Sequence, residues 1–233
     1  MVQIAELYPS LQGEGRLAGT PSVFVRTSGC NLRCTWCDTP FTSWKPTGIN
    51  RTVSSLVEEI IKHGLKHVVI TGGEPLLAAD IHVLCDILQQ KGQHITIETA
   101  ATMLPAEGPP AANLMSLSPK LRSSTPSAKT GWEQRHEKRR RRDDIIQLLR
   151  ATPNQIKFVI DSSSDLDEAV SWLHDLDIHP QSREARHVYL MPQGVSQSRL
   201  QKEAIWLESE CKKLGFQLCQ RHHINWFGNT RGT

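Results

Sequence analysis

A chain of 233 residues can build one complete α/β domain with a sizeable core but is short for two, so a single unit spanning 1–233 is expected. With 22% charged and 38% hydrophobic residues it has the balance of a folded globular protein, which excludes wholesale disorder, and no apolar run approaches membrane length. A formal net charge of +3 is too small to call for nucleic acid and suits a small acidic substrate equally well.

The first residues, Met1, Val2 and Gln3, lack the basic flank and apolar run of a signal peptide. Residues 4–8 read as a short strand running into Gln12, Gly13, Glu14 and Gly15, where glycines bracketing a carboxylate allow a tight turn and close backbone approach to a ligand. The next strand, 23–27, carries Arg26 in an apolar run; an arginine there is either paired or waiting for an anion. That strand delivers Cys30, Cys34 and Cys37.

Residues 52–64 read as a helix with Ser55 and Glu58 spaced as a capping box, followed by a strand at 67–71 and a helix at 80–91. A strand at 94–98, a loop at 105–110 and a strand at 113–117 come next. Residues 121–154 form a charged insertion with a helix expected over 133–150. Its run Arg139, Arg140, Arg141 and Arg142 is read as a solvated helix face, because Asp143 and Asp144 dilute the patch; no nucleic-acid partner is expected. Strands at 155–160 and 188–191 alternate with helices at 165–176 and 198–214. The tail, 216–233, opens with a last strand before Arg221, His222 and His223.

Three cysteines within eight residues can wrap one soft metal centre. A structural zinc ion needs four protein ligands, so it would need a fourth from elsewhere; a [4Fe–4S] cube held by three cysteines keeps one iron open, and the C-x3-C-x2-C spacing favours it. The remaining cysteines, Cys85, Cys211 and Cys219, are scattered through helix-like and strand-like segments, which fits a reducing cytoplasm better than a disulfide framework.

Strands alternating with helices imply a mostly parallel sheet curling into a partial barrel, with the site on the loops after the strands' carboxyl ends. Cys30, then Gly72, Gly73, Glu74 and Pro75, then Glu98 and Thr99, then residues 116–120, and finally residues 192–194 all fall on that rim.

The cysteines taken with Gly72, Gly73, Glu74 and Pro75 resemble the radical S-adenosylmethionine superfamily. Adding Gln12, Gly13, Glu14, Gly15, Arg26, Asp38, Thr39, Ser118, Pro119, Lys120 and a histidine near the carboxyl terminus, the whole chain is similar to the 7-carboxy-7-deazaguanine synthase family of 7-deazapurine (queuosine) biosynthesis.

The resemblance implies a partial (β/α)6-type radical SAM barrel with parallel strands. It also implies a carbon–nitrogen lyase that converts 6-carboxy-5,6,7,8-tetrahydropterin to 7-carboxy-7-deazaguanine with loss of ammonia. Cys30, Cys34 and Cys37 would hold the [4Fe–4S] cluster, which cleaves S-adenosylmethionine to a 5′-deoxyadenosyl radical, and Thr39 would hold Mg2+, with Asp38 beside it. Gly73, Glu74, Glu98, Thr99, Ser118, Lys120 and Gln193 would contact S-adenosylmethionine. Gln12, Gly13, Glu14, Arg26 and His223, with His222 as the rival of the last, would contact the substrate. A reductant protein such as flavodoxin or ferredoxin and a homodimer follow from the same resemblance, as does a chain end near the substrate; here Phe227 to Thr233 runs on past the histidines.

Overall fold

The structure is a computed structural model, which describes residues 1–137, 142–151 and 153–233. Residues 139–141 of the basic run, and the side chain of Arg142, lie outside the described residues. The strands are β1 (Val2–Leu11), β2 (Pro21–Thr27), β3 (Ile49–Arg51), β4 (His67–Gly72), β5 (His94–Thr99), β6 (Leu114–Leu117), β7 (Asn154–Ile160), β8 (Val188–Pro192) and β9 (Gln217–Leu218). They form one open sheet in the order β3-β1-β2-β4-β5-β6-β7-β8-β9. From β2 to β9 each neighbour is parallel. The β3-β1-β2 border is antiparallel.

The helices are α1 (Val53–Lys62), α2 (Ile81–Gln90), α3 (Glu133–Glu137), α4 (Arg142–Ala151), α5 (Ser163–Asp175), α6 (Gln197–Leu214) and α7 (His222–Phe227). Helix α1 is capped by Thr52, whose side chain accepts from Ser55 N, and not by the expected Ser55 and Glu58 pair. Ser55 already lies inside the first turn, and its hydroxyl takes Arg51 Nη2 at 2.6 Å. The helix expected over 133–150 is described as two segments, α3 and α4. The short strand β3 carried no sequence signal, being only three residues long with Ile49 exposed.

Strand periodicity places the site. On one face Val23, Val25, Ile70, Ile97, Ile156 and Phe158 pack into a single core with the helices. Burying each contributes about 1.5–3 kcal/mol relative to exposure. The alternate residues point to the other face, where Arg26, Thr71, Glu98, Ser116, Lys157 and Met191 line a cavity. The curled sheet thus keeps its aliphatic side for the helices and its polar side for a ligand.

Candidate active site

The cavity has a volume of about 370 Å³. Its least expected wall is the turn of Gln12, Gly13 and Glu14. Because β1 runs antiparallel to β2, with Leu11 opposite Pro21, this turn departs from the strands' amino-terminal side and not from the rim that carries the other loops. It reaches across the concave face: Gln12 Nε2 donates to Glu98 Oε1 at 3.1 Å, and Arg16 N donates to Gln155 Oε1 at 3.0 Å. Gly13 packs against α7, its carbonyl accepting from His222 N at 3.0 Å. A Cβ at Gly13 would stand 2.4 Å from His223 Nδ1, so only glycine lets the turn and the histidine share this wall.

Glu14 is the centre of a chain of alternating charges. Lys157 Nζ from β7 pairs with Glu14 Oε2, and Arg221 Nε lies 3.3 Å from Glu14 Oε1. Arg221 continues to Asp38 Oδ2 at 2.6 Å and to the Gly194 carbonyl at 2.6 Å. Burial alone would raise the Glu14 pKa; the charges of Lys157, Arg221 and His223 outweigh it and hold the carboxyl well below the ordinary carboxylate range. Burial likewise works against the Lys157 ammonium, yet Glu14 and Glu98 keep its pKa above the ordinary lysine value. For His223, 3.9 Å from Glu14 Oε1, burial prevails and lowers the pKa. Its neighbour His222 is not on the cavity lining; it stacks on Trp226 with ring centroids 5.2 Å apart.

Arg26 lines the same cavity, with Nε on Glu6 Oε2 at 2.8 Å and Nη2 on the Tyr8 hydroxyl at 3.1 Å. Arg231 from the tail also pairs with Glu6 and stacks 3.9 Å over the Phe41 ring, bringing residues 229–233 onto the lining.

The cysteine loop is locked to the glycine turn after β4. Gly29 N donates to Thr42 O at 2.9 Å, Glu74 N to Gly29 O at 2.9 Å, and Gly73 N to Thr27 O at 3.2 Å. A Cβ on Gly73 would lie 2.1 Å from Gly29 O and 2.7 Å from Thr42 O. Trp36, Asp38, Thr39 and Phe41 of the loop form cavity wall.

Glu74 sits just behind the turn. Its carboxylate is buried off the lining and accepts from Thr99 Oγ1 at 2.6 Å, Ala100 N at 2.9 Å and Leu76 N at 3.1 Å. These three donors leave part of its acceptor capacity open, and at this turn Gly72 and Gly73 line the cavity. Glu98, Thr99, Ser118, Lys120 and Gln193 all reach it, Lys120 Nζ donating to Ser118 Oγ at 3.1 Å.

The donor set at the loop suits a cluster. Cys30, Cys34 and Cys37 are free of disulfides. Each sulfur has a partner: Leu32 N at 3.3 Å for Cys30, His136 Nε2 at 3.6 Å for Cys34, and Ser43 Oγ at 3.3 Å for Cys37. Burial pushes the Cys30 thiol to about 12 and the Cys34 thiol to about 11, so a metal centre must displace their protons. Among the described residues no three His, Cys, Asp or Glu side chains close on one ion. Three cysteines on one short loop can each ligate an iron of a [4Fe–4S] cube and leave the fourth iron open.

Lys157 and Arg221 escaped the motif reading because neither belongs to a short pattern. Lys157 was detectable from alternation: it shares a face with Gln155 and Val159, opposite Ile156 and Phe158. A lysine there must point into a pairing partner.

Residues 24–154 match the Radical SAM superfamily. A relative from Rhodopirellula baltica named 7-carboxy-7-deazaguanine synthase is 48% identical over 99% of this chain and 88% of its own length. One of the same name from Halobacterium salinarum is 41% identical over 95% of this chain and 88% of its own. The crystal structure of QueE from Escherichia coli superposes with a TM-score of 0.70 at 24% identity, covering 95% of this chain and 94% of that one, which supports the fold. The chain belongs to the 7-carboxy-7-deazaguanine synthase family, within the radical S-adenosylmethionine superfamily.

Proposed function

We propose that this chain converts 6-carboxy-5,6,7,8-tetrahydropterin to 7-carboxy-7-deazaguanine with loss of ammonia, as a carbon–nitrogen lyase of 7-deazapurine (queuosine) biosynthesis, and that residues 1–233 act as one catalytic unit. The observation that carries the reading is one cavity lined by Arg26, Glu14 and His223 together with the cysteine loop, Gly73 and Lys120. Cys30, Cys34 and Cys37 would hold a [4Fe–4S] cluster, which with S-adenosylmethionine would supply radical chemistry.

The chain's own residues bind, orient and shield. Arg26 keeps Nη1 for the substrate carboxylate, since Glu6 and Tyr8 take its other two nitrogens. Glu14, held anionic, accepts from the pterin amino and ring N–H groups, with Gln12, Gly13 and His223 completing that wall. Gly73, Glu74, Glu98, Thr99, Ser118, Lys120 and Gln193 would hold S-adenosylmethionine, and residues 229–233 keep water out. Thr39, beside Asp38, would offer oxygen to a Mg2+ ion, a hard cation suited to few protein ligands.

Anaerobically reconstituted protein should convert the carboxypterin and release ammonia. Glu14→Ala or Arg26→Ala should cut turnover roughly 100-fold, the loss of about 3 kcal/mol of charge-assisted hydrogen bonding, while iron content persists. A full cluster with no wild-type turnover would sink the assignment. In the same assay added Mg2+ should raise the rate of the wild type and not of Thr39→Ala. A flavodoxin or ferredoxin serves as reductant and the working form is a homodimer; enzymatic reduction should replace dithionite, and sedimentation should give twice the chain mass. A cytoplasmic setting fits six free cysteines. No described helix is long and apolar enough to cross a membrane.

A further inference from the structure

Arg221 has no task in the chemistry above, yet its side chain is placed where three functional segments converge. It lies between β9 and α7, where Cys219 N donates to Leu190 O at 2.8 Å and His222 N to Gly13 O at 3.0 Å, so its backbone is fixed on both sides. The side chain is 9% exposed. Each guanidinium nitrogen takes a different acceptor: Nε the Glu14 carboxylate at 3.3 Å, Nη1 the Gly194 carbonyl at 2.6 Å, and Nη2 the Asp38 carboxylate at 2.6 Å. The segments that carry these acceptors are themselves braced. Glu14 N donates to Gln12 Oε1 at 3.2 Å and Gln193 N to Ile160 O at 2.9 Å. Asp38 stands between Cys37 and Thr39, and the Thr39 carbonyl accepts from Thr42 N at 2.9 Å.

The three acceptors belong to parts that have to be aligned for reaction. Glu14 is in the substrate wall, Asp38 is in the cysteine loop, and Gly194 follows Gln193 in the loop after β8. A planar guanidinium directs its N–H groups outward at fixed angles, whereas an ammonium has one nitrogen and cannot reach three separated acceptors at once. We propose that Arg221 is a positioning residue: by tying the Glu14 turn, Asp38 and Gly194 to one rigid fork, it sets the placement of the carboxypterin relative to the cysteine loop and the S-adenosylmethionine wall. The inference rests on the reaction proposed above. The charge of Arg221 is the lesser part of this role at Glu14, because Lys157 also pairs with that carboxylate. The alignment is the greater part, since a misplacement of about 1 Å can cost about 100-fold in reaction rate.

The test uses the reconstituted holoenzyme, with iron content measured in each preparation. R221K keeps the charge and loses the fork. Its Kd for the carboxypterin, measured with S-adenosylmethionine present and no reductant, should stay within about threefold of wild type. On reduction, the 7-carboxy-7-deazaguanine formed per 5′-deoxyadenosine released should fall about tenfold, because the substrate no longer sits where the radical is delivered. R221Q should lose the same ratio and also bind more weakly. Loss of folded protein alone would lower the rate and leave this ratio unchanged. If neither variant retains iron, the apo chains carry the test: the amides of Glu14 and Gln193 should exchange about tenfold faster in R221K, while those of β4 and β5 keep wild-type rates. Wild type with a full cluster and no turnover overturns the reaction and this role together. With wild-type turnover, an unchanged product ratio in iron-loaded R221K, or unchanged exchange at Glu14 and Gln193, overturns the Arg221 proposal alone.

Discussion

Gly73→Ala should abolish turnover and leave the reconstituted protein with less than half of the wild-type iron. The added Cβ would stand 2.1 Å from Gly29 O, 2.6 Å from Gly29 C and 2.7 Å from Thr42 O. All three are main-chain atoms, so no side chain can rotate away. Gly29 directly precedes Cys30 and is held by Thr42 O and Glu74 N. Any movement that relieves the contact therefore displaces the first thiolate. Overpacking of this kind costs about 1–3 kcal/mol in stability, and the loss of cluster geometry adds to it. Gly92→Ala is the control, because a Cβ there meets nothing within 4 Å and the penalty is only that of a positive φ of 73°. It should cost about 1 kcal/mol and leave iron content unchanged. Normal iron and turnover in Gly73→Ala would refute the claim that this contact positions the loop.

The second large effect is expected at Lys157. Lys157→Met leaves the Glu14 carboxylate buried with Arg221 at 3.3 Å as its remaining close cation. Removing one partner of a buried pair costs about 3–5 kcal/mol, to be read from denaturation of the apo chain, and KM for the carboxypterin should rise. Glu14→Gln/Lys157→Met removes both charges and should recover most of the stability without recovering turnover.

The pH dependence follows from the same pair. The Glu14 pKa is depressed below its ordinary 4.5 in the folded chain, so its contribution is present above 4.5 and is lost as pH falls toward the folded value. The stability gap between wild type and Lys157→Met should therefore narrow on acidification below 4.5. A gap that is constant with pH would mean that Lys157 acts through packing of its stem alone.

How much of this was legible in the sequence depends on the range of the interactions. The parallel strands, most helices and the cysteine and glycine loops follow from local periodicity and turn chemistry, and they appear where expected. The direction of β1 does not, since alternation is the same for either orientation; with it went the route by which Gln12 and Glu14 enter the cavity. Arg221 and Glu14 are separated by 207 residues, and only the closed geometry makes them partners. For Glu74 the motif marks the residue, while its hydrogen bonds to Thr99, Ala100 and Leu76 follow only from the fold.

The order of the strands also bears on how copies of this chain can meet. Both borders of the sheet are its shortest strands, three residues in β3 and two in β9. At the β3 border, however, only Val2, Gln3 and Ile4 of the ten-residue β1 are paired, so among the described residues the outer edge of β1 beyond Ile4 has no strand beside it and offers a template for pairing. Strand addition along that edge of β1 is therefore open to a second copy, beside contacts between side chains on helices and loops.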